Sequence, residues 1–587
     1  MASGLLAGSL LTCGDDAPTG ETADGHPPLK RTTNEVAVVL RTEPDGLNPV
    51  LTTQGIARFV NEQIFQTLTE KDPETFEQVP HLAGLPDISP EPGGGTSYAY
   101  ELDARATWPN GLPVTAQDVI FSLKAMLNPL VEAGPYRPYY SMISNVVTNP
   151  GNERRFKVMT DKPYVLAEEA IGSLWIYPEY VYDPDMRLRN VAISDLTNPQ
   201  RAERLAGTNE DLRAFAEAFN DPDWRRNPER IVGSGPYRLV SWEDGQQIRL
   251  ERRADYWAAG TDDPKLSADP EAIVFKVITD NNTVGNALRD ELVDVVIALE
   301  IDQFQDFQRD EYISARYDFA TAPSFKYFGI LLNQRDPLMA DVAVRRALAH
   351  CVDTEQIIEQ LFPGLASRVV GPILPAKPYF NDELQPLAYD PAKAAQLLAD
   401  AGWSDSNGDG TVDKEIDGQR RELRFELLSF TSPLSEAVTV ITAEGARAAG
   451  MDIQVVKQEG RAVYGALNKG EYTASIYGLG FNPGPDDLTQ NWASDATYPN
   501  GTNRGNFSDP EADRLIRQIR TTVDADERAP LYRRFQEIVY ENQPMVFLFS
   551  PLDRIVVSKR FDYTTSSITP NVVLNAMEQQ EWNRAKK

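Results

Sequence analysis

Few residues in this chain of 587 have the types and spacing that catalysis needs. Its histidines and cysteines are His26, His81, His350, Cys13 and Cys351. They supply little for a Ser-His-Asp or Cys-His site, and no phosphate-binding, zinc-protease or dinucleotide motif is present. Carboxylates alone could hydrolyse a glycosidic bond, but no pair stands out among the 87 acidic residues. The sequence therefore favours binding over catalysis and predicts no cofactor, with a carboxylate-dependent secreted hydrolase as the alternative.

One loop spaces its oxygen ligands like the start of an EF-hand. These ligands would be Asp405, Asn407, Asp409 and Asp413. Gly410 stands at the sharp turn, but Ile416 occupies the twelfth position, where an EF-hand has its closing acid. A calcium site and a polar turn between two strands are both open interpretations of this loop.

Charge and composition exclude two broad classes of protein. Acidic residues outnumber basic ones by 87 to 57, and the net charge of -30 would repel a phosphate backbone, which argues against nucleic-acid binding. The longest apolar runs are the length of strands, well short of the ~20 residues needed to cross a bilayer. A chain of this length with 41% hydrophobic residues should divide into two or more lobes.

The two cysteines lie in different contexts and are not expected to pair. Cys13 follows the short apolar segment 5–12 and precedes Gly14, a pattern that resembles a lipoprotein signal peptide. Residues 1–13 are then a signal segment, with a lipidated Cys13 that anchors an extracytoplasmic protein, and residues 14–34 are a flexible tether. An ordinary cleaved signal and a cloning remnant are the alternatives. Cys351 lies in an amphipathic pattern that predicts a small buried residue.

Local patterns predict the elements that would position a site. Residues 35–40 form a strand, and Thr115 with Asp118 makes a capping box at the start of a helix. Alternating apolar residues on either side of Asp244-Gly245 predict a β-hairpin. Just before it, Gly233 and Gly235 flank Ser234, and we expect them to allow backbone conformations barred to other residues.

Several stretches in order resemble one known family. They are WPNGLPVTAQDV (108–119), GSGPYRLVSW (233–242), DYW (255–257), DVAVRRAL (341–348), PAKAAQLLADAGW (391–403) and NRGNFSDPE (503–511). They are similar to elements of the extracytoplasmic solute-binding proteins of family 5, the oligopeptide- and dipeptide-binding components of ABC importers. The resemblance covers roughly residues 35 to 550.

The resemblance implies an α/β architecture: the two-lobed periplasmic-binding-protein fold, class II type, in its large family-5 form with mixed sheets and a hinge. Lobe 1 would be residues 35–322, with an inserted subdomain at about 62–225, and lobe 2 residues 323–549. Residues 550–587 would return to lobe 1. Such a protein would be a monomer that captures a peptide or other polar solute between its lobes and delivers it to the permease subunits of an ABC transporter. A non-transport peptide chaperone or sensor is another alternative.

The resemblance also implies the site. On the first lobe it points to a loop of Thr53, Gln54 and Gly55. Tyr136 stands where the family has a tyrosine that faces the ligand, although a tyrosine that packs the loop is an equal alternative. The second wall would be provided by Gly460, Arg461, Leu479, Asn482 and Asp486.

This second wall departs from the family's peptide binders. They usually carry a tryptophan where Gly460 stands, and a Trp-x-x-Asp element whose positions here hold Leu479 and Asn482. In those proteins the aspartate pairs with the ammonium of the peptide. Because burying an ammonium without a counter-ion costs several kcal/mol, we expect a ligand that is not held by a free α-ammonium, unless Asp486 takes that role. Arg461 and Asp486 are the candidate polar anchors.

Overall fold

The computed structural model describes residues 30–52, 54–498 and 501–580. Cys13, the predicted signal segment, residues 14–29 of the tether and Thr53 lie outside the described residues. The last residues of the predicted tether are bonded to the body of the protein, since the Lys30 backbone N–H donates to Glu291. The bonded part of the chain thus includes residues 30–34, which the sequence assigns to the tether.

The elements up to residue 323 are β1 (Glu35–Leu40), α1 (Gly55–Ile64), β2 (Thr69–Lys71), β3 (Gln78–Pro80), β4 (Asp87–Pro90), β5 (Thr96–Glu101), α2 (Ala116–Leu127), α3 (Arg137–Tyr140), β6 (Ile143–Asn149), β7 (Asn152–Thr160), α4 (Ala167–Gly172), α5 (Glu179–Tyr182), α6 (Ile193–Leu196), α7 (Pro199–Thr208), α8 (Glu210–Phe219), α9 (Asp223–Arg226), β8 (Tyr237–Glu243), β9 (Gln247–Arg252), β10 (Ala272–Val277), α10 (Asn281–Arg289), β11 (Val295–Ile297), α11 (Ile301–Arg309), α12 (Glu311–Ser314) and β12 (Tyr317–Pro323).

The remaining elements are β13 (Lys326–Leu332), α13 (Val342–His350), α14 (Thr354–Leu361), β14 (Ala366–Arg368), α15 (Pro391–Asp400), β15 (Asp413–Ile416), β16 (Gln419–Glu422), β17 (Arg424–Phe430), α16 (Pro433–Ala448), β18 (Asp452–Gln458), α17 (Gly460–Lys469), β19 (Ala474–Gly480), α18 (Thr489–Trp492), α19 (Pro510–Thr521), α20 (Ala525–Asn542), β20 (Met545–Ser558), β21 (Phe561–Asp562), a 3-10 helix (Leu574–Ala576) and β22 (Glu578–Gln579).

A mixed sheet of 12 strands organises the fold, in the order β18-β17-β19-β13-β20-β11-β1-β10-β9-β8, with β12 and β14 also pairing with β20. Strand β1 is parallel to β10, whereas β20 is antiparallel to its neighbours β11 and β13. The first residues of β20 pair with β13, and its later residues, 552–558, pair with β12. One long strand therefore joins the two halves of the sheet, and the predicted boundary at residue 550 falls inside it.

A separate antiparallel sheet, β4-β5-β7-β6, lies in the stretch predicted as an inserted subdomain. The predicted capping box is confirmed at the start of α2, because the Thr115 backbone N–H donates to Asp118 Oδ2 at 2.9 Å. This helix ends at Leu127, and the N–H of its cap residue Asn128 donates to the carbonyl of Lys124. Helix α2 contacts β7, so it covers one face of the small sheet.

The predicted hairpin is formed by β8 and β9, with Gly245 in the left-handed region at φ 68°. The expectation for Gly233 and Gly235 is wrong in its reason, because neither has a positive φ. They are needed for close approach instead. A Cβ on Gly233 would lie 2.1 Å from the carbonyl oxygen of Ile64, and the Gly235 N–H donates to that same oxygen at 2.8 Å.

Cys351 is fully buried at the end of α13, as its amphipathic pattern predicts. It belongs to a hydrophobic cluster that combines residues from both sides of the predicted lobe boundary, such as Val284 and Leu348. Burial raises the pKa of the Cys351 thiol to about 12, so it stays protonated at neutral pH. Its role is packing.

Candidate ligand-binding cleft

The first wall of the predicted site is a bonded loop at the start of α1. Thr52 donates to Asp45 through its hydroxyl at 2.6 Å, and the Asp45 N–H donates to Oε1 of Gln54 at 3.1 Å. Tyr136 donates its hydroxyl to the carbonyl oxygen of Thr52 at 2.6 Å. The structure thus brings Tyr136 to the predicted loop, and its hydroxyl positions that loop. Gly55 faces open space, with nothing within 4 Å of a Cβ built on it.

Charged side chains accompany this loop on α1 and β2. Arg58 and Glu62 are hydrogen-bonded one helical turn apart, and Glu62 raises the pKa of Arg58. On β2, burial raises the pKa of Glu70 to about 7, close to physiological pH. Sequence reasoning missed these groups, although the i, i+4 spacing of Arg58 and Glu62 on a predicted helix was a usable signal.

The second wall consists of the first turn of α17 and the segment that follows β19. Gly460 is the first residue of α17, and a Cβ there would only touch the ring of Phe430 at 3.8 Å. Arg461 is exposed on the same turn. Leu479 lines a small open pocket together with Tyr477 and Arg504. The wall is thus open at Gly460, where the family resemblance places a tryptophan.

Asp486 is not a free anchor, in contrast to its predicted role. It is 8% exposed, its Oδ1 lies 3.2 Å from Nζ of Lys377, and its Oδ2 accepts from the Tyr379 hydroxyl at 2.8 Å. Burial raises the pKa of Asp486, and the Lys377 ammonium opposes that rise. Asn482 is exposed and takes part through its backbone, because its carbonyl accepts from Lys377 at 2.6 Å. Lys377 is a residue that sequence reasoning missed.

The two walls meet at a polar junction. From the first lobe, Lys71 and Glu169 form an ion pair of 2.7 Å, and a Cβ on Gly484 would lie 2.0 Å from Glu169 Oε2. Burial lowers the pKa of Lys71, while Glu169 counteracts that effect. Nearby, Tyr164 donates to Asp487 Oδ2 at 3.1 Å. These partners are far apart in sequence, so no local pattern could have revealed them.

The EF-hand-like loop forms a polar turn. Asp413 is bound by Ser406 and by Arg420, whose hydrogen bond lowers the pKa of this carboxyl to about 2. Asp405 accepts from the backbone N–H groups of Gly408 and Gly410. Across residues 30–52, 54–498 and 501–580, no three His, Cys, Asp or Glu side chains are grouped so that they could hold a metal ion. Asp405, Asn407, Asp409 and Asp413 are thus occupied by turn contacts.

The comparisons with known proteins agree with this architecture. The chain matches the model of bacterial extracellular solute-binding proteins, family 5, over residues 77–500. It is 24% identical to the oligopeptide-binding protein AppA of Bacillus subtilis over 95% of this chain and 94% of AppA. It is also 24% identical to heme-binding protein A of Haemophilus influenzae, over 92% of each chain. The solved structure of Bacillus subtilis AppA with a nonapeptide has a TM-score of 0.67 and 22% identity, over 93% of this chain and 99% of that one.

The fold is that of the large, two-lobed periplasmic binding proteins. The chain belongs to the bacterial extracellular solute-binding proteins of family 5, as its motifs predict. It is therefore a solute-binding component of an ABC importer, in a family of extracytoplasmic transport proteins rather than enzymes. Within the described part of the chain, none of the helices has the length and apolarity to pass through a membrane.

Proposed function

We propose that the protein captures a polar solute that it does not hold by a free α-ammonium: a blocked or internal peptide segment, or an oligosaccharide. The observation that supports this proposal is the state of the second wall. Both carboxylates of segment 479–487 are already bonded. Asp486 is bonded to Lys377 and Tyr379, and Asp487 is bonded to Tyr164 and Thr489. An incoming ammonium would have to displace one of these partners, at a cost of several kcal/mol.

The proposed cycle is the closure of two lobes on the solute, followed by delivery to the membrane permease by a monomer. The exposed residues Gln54 and Gly55 offer polar groups from lobe 1 (residues 35–322 and 550–587), and Arg461 offers donors from lobe 2 (residues 323–549). The short connection between β12 and β13 and the middle of β20 pass between the lobes, which makes them the candidate hinge.

The test is a calorimetric titration with a mixed pool of tri- to pentapeptides and with the same pool N-acetylated. We expect acetylation to leave the affinity essentially unchanged, and the pool that binds should compact the protein in small-angle scattering. Mass spectrometry of solutes that co-purify with the protein provides the ligand if neither pool binds. A loss of about 2 kcal/mol or more on acetylation, the scale of a hydrogen bond to a buried charge, would contradict the proposal.

We further propose that Cys13 is lipidated and anchors the protein at the outer face of the membrane, as its apolar leader suggests. The Cys13→Ser variant should then appear in the soluble extracytoplasmic fraction, because a single residue carries the whole anchor. Fractionation of cells that express each form, followed by immunoblotting, measures this. Cys351→Ser is the matched control, since Cys351 is buried in the core. Membrane association that persists in Cys13→Ser would refute the anchor.

A further inference from the structure

The ammonium group of Lys377 has a complete set of acceptors. Its Nζ donates to the carbonyl oxygen of Asn482 at 2.6 Å, to that of Gly484, and to Asp486 Oδ1 at 3.2 Å. A lysine ammonium has three N–H donors, so these three acceptors match it one for one. The side chain is 1% exposed. All three donors of this buried ammonium are therefore used.

Asp486, one of the three acceptors, is held in place by groups other than Lys377. Asp486 Oδ2 accepts from the Tyr379 hydroxyl, and the Asp486 backbone N–H donates to the hydroxyl of Tyr532 at 3.0 Å. Tyr532 in turn donates to the Asp486 carbonyl oxygen, and the rings of Tyr379 and Tyr532 stack at 4.0 Å. Helix α20 carries Tyr532 and is anchored in the second-lobe core. Asp486 should therefore stay in place when the lysine is removed.

The site lies where the two lobes meet. The ring of Phe325 is 5.6 Å from Nζ of Lys377 and packs edge-on against Phe76 of the first lobe at 5.1 Å. Gly484, whose carbonyl is one of the three acceptors, lies against Glu169 and Lys71. An ammonium bound here would thus be at the edge of the cleft between the lobes.

We propose that Lys377 is the built-in occupant of a primary-ammonium site, and that it determines specificity by keeping the amino groups of solutes out of that site. This inference rests on the proposed function, because it places the site in the solute cleft. Shortening Lys377 to alanine removes three methylenes and the ammonium, and it leaves a vacancy shaped for n-propylammonium with its acceptors in place.

The experiment compares Lys377→Ala with Lys377→Met. Both variants lose the cation that pairs with Asp486, but the methionine side chain still fills the channel. We expect both melting temperatures to fall below that of the wild type. Added n-propylammonium chloride should restore at least half of the loss in Lys377→Ala and should leave Lys377→Met and the wild type unchanged. Tetramethylammonium chloride at equal concentration has no N–H donor and controls for ionic strength. 1-Propanol controls for apolar contact of the three-carbon chain.

Peptide binding provides the second readout. Lys377→Ala should bind peptides with a free amino terminus about tenfold more tightly than their N-acetylated forms, the discrimination expected for a hydrogen-bonded charge. The wild type and Lys377→Met should discriminate less than twofold. If Lys377→Ala folds only when n-propylammonium is present, that dependence itself supports the site.

Three results would overturn the inference: no recovery of Lys377→Ala with n-propylammonium, equal recovery of Lys377→Met, or equal recovery with tetramethylammonium. The amine titration needs no transported solute and no permease. Its failure would therefore leave the proposed function standing. Conversely, amine recovery in a protein that neither binds nor co-purifies with any solute would support the ammonium site and count against the proposed function.

Discussion

Replacing Asp294 by alanine is expected to lower the free energy of unfolding by about 3–5 kcal/mol, because it breaks a buried ion pair from one side. The side chains of Asp294 and Arg560 are 1% and 3% exposed, with Oδ1 and Nε 2.9 Å apart. Asp294 Oδ2 also accepts from the backbone N–H of Ala37 at 2.7 Å and from Arg31 at 2.9 Å. The substitution leaves a buried guanidinium and a buried N–H without this partner. Urea denaturation of the purified protein measures the loss.

A matched control lies close by in the chain. Asp290 pairs with Lys30 at 3.4 Å, but their side chains are 63% and 50% exposed, and ion pairs of this kind contribute about 0–1 kcal/mol. Asp290→Ala should therefore change the free energy of unfolding by less than about 1 kcal/mol. A loss equally small in Asp294→Ala would show that Arg560 is satisfied by the carbonyl oxygens of residues 31, 33 and 35 alone.

The Asp294 cluster shows why residues 30–34 were wrongly assigned to a flexible tether. The stretch before residue 35 is polar and, by composition, cannot form a core of its own. Yet Arg31 reaches a carboxylate near β11, and Arg560 returns from beyond β20 to bind the carbonyl of Arg31. These three residues come together only through the topology of the central sheet. Composition describes only residues 30–34 themselves, whereas their position in the structure depends on hydrogen-bond partners far along the chain.

Local elements were predictable because their causes are local. The alternation on either side of Asp244-Gly245, the Thr115–Asp118 box and the burial of Cys351 each follow from a few neighbouring residues, and the structure confirms them. The return of the chain to the first lobe depends on distant partners instead. Residues 550–587 were predicted to form this return. Within β20, residues 545–549 pair with β13, and the pairing with β12 begins at Leu552.

The candidate site was predictable in outline but not in its charges. The family resemblance pointed to the loop at 52–55 and to Tyr136, and the structure joins them by a hydrogen bond. The partner of Asp486 was not foreseen, because Lys377 lies in an irregular stretch without periodicity, more than a hundred positions away. Polar pairing between loops depends on the fold. The neutral Asn482, at a position where the family's peptide binders carry an aspartate, could therefore be read from the sequence, whereas the pairing of Asp486 with Lys377 could not.

The second large loss of stability is expected from Gly233→Ala. The sequence analysis attributed this glycine to an unusual backbone conformation, whereas the structure attributes it to close packing. A Cβ at this position would meet backbone rather than a flexible side chain: the carbonyl oxygen of Ile64 at 2.1 Å and its carbon at 2.8 Å. Either α1 or the strand entry must shift, and overpacking of this kind costs about 3 kcal/mol. Because α1 starts at the 52–55 loop, we also expect weaker solute binding. Urea denaturation and calorimetry measure the two effects.

Gly207→Ala is the control that separates close approach from the general effect of removing a glycine. Gly207 lies in α7 with nothing within 4 Å of a Cβ, so alanine there should be neutral or should stabilise the protein by about 0.5–1 kcal/mol. The contact with Ile64 also carries the hydrogen bond from the Gly235 N–H, which any shift of the strand would lengthen. A Gly233→Ala variant as stable as the wild type would contradict this prediction. It would show that the junction between α1 and β8 can shift without cost, so that close packing does not require glycine at position 233.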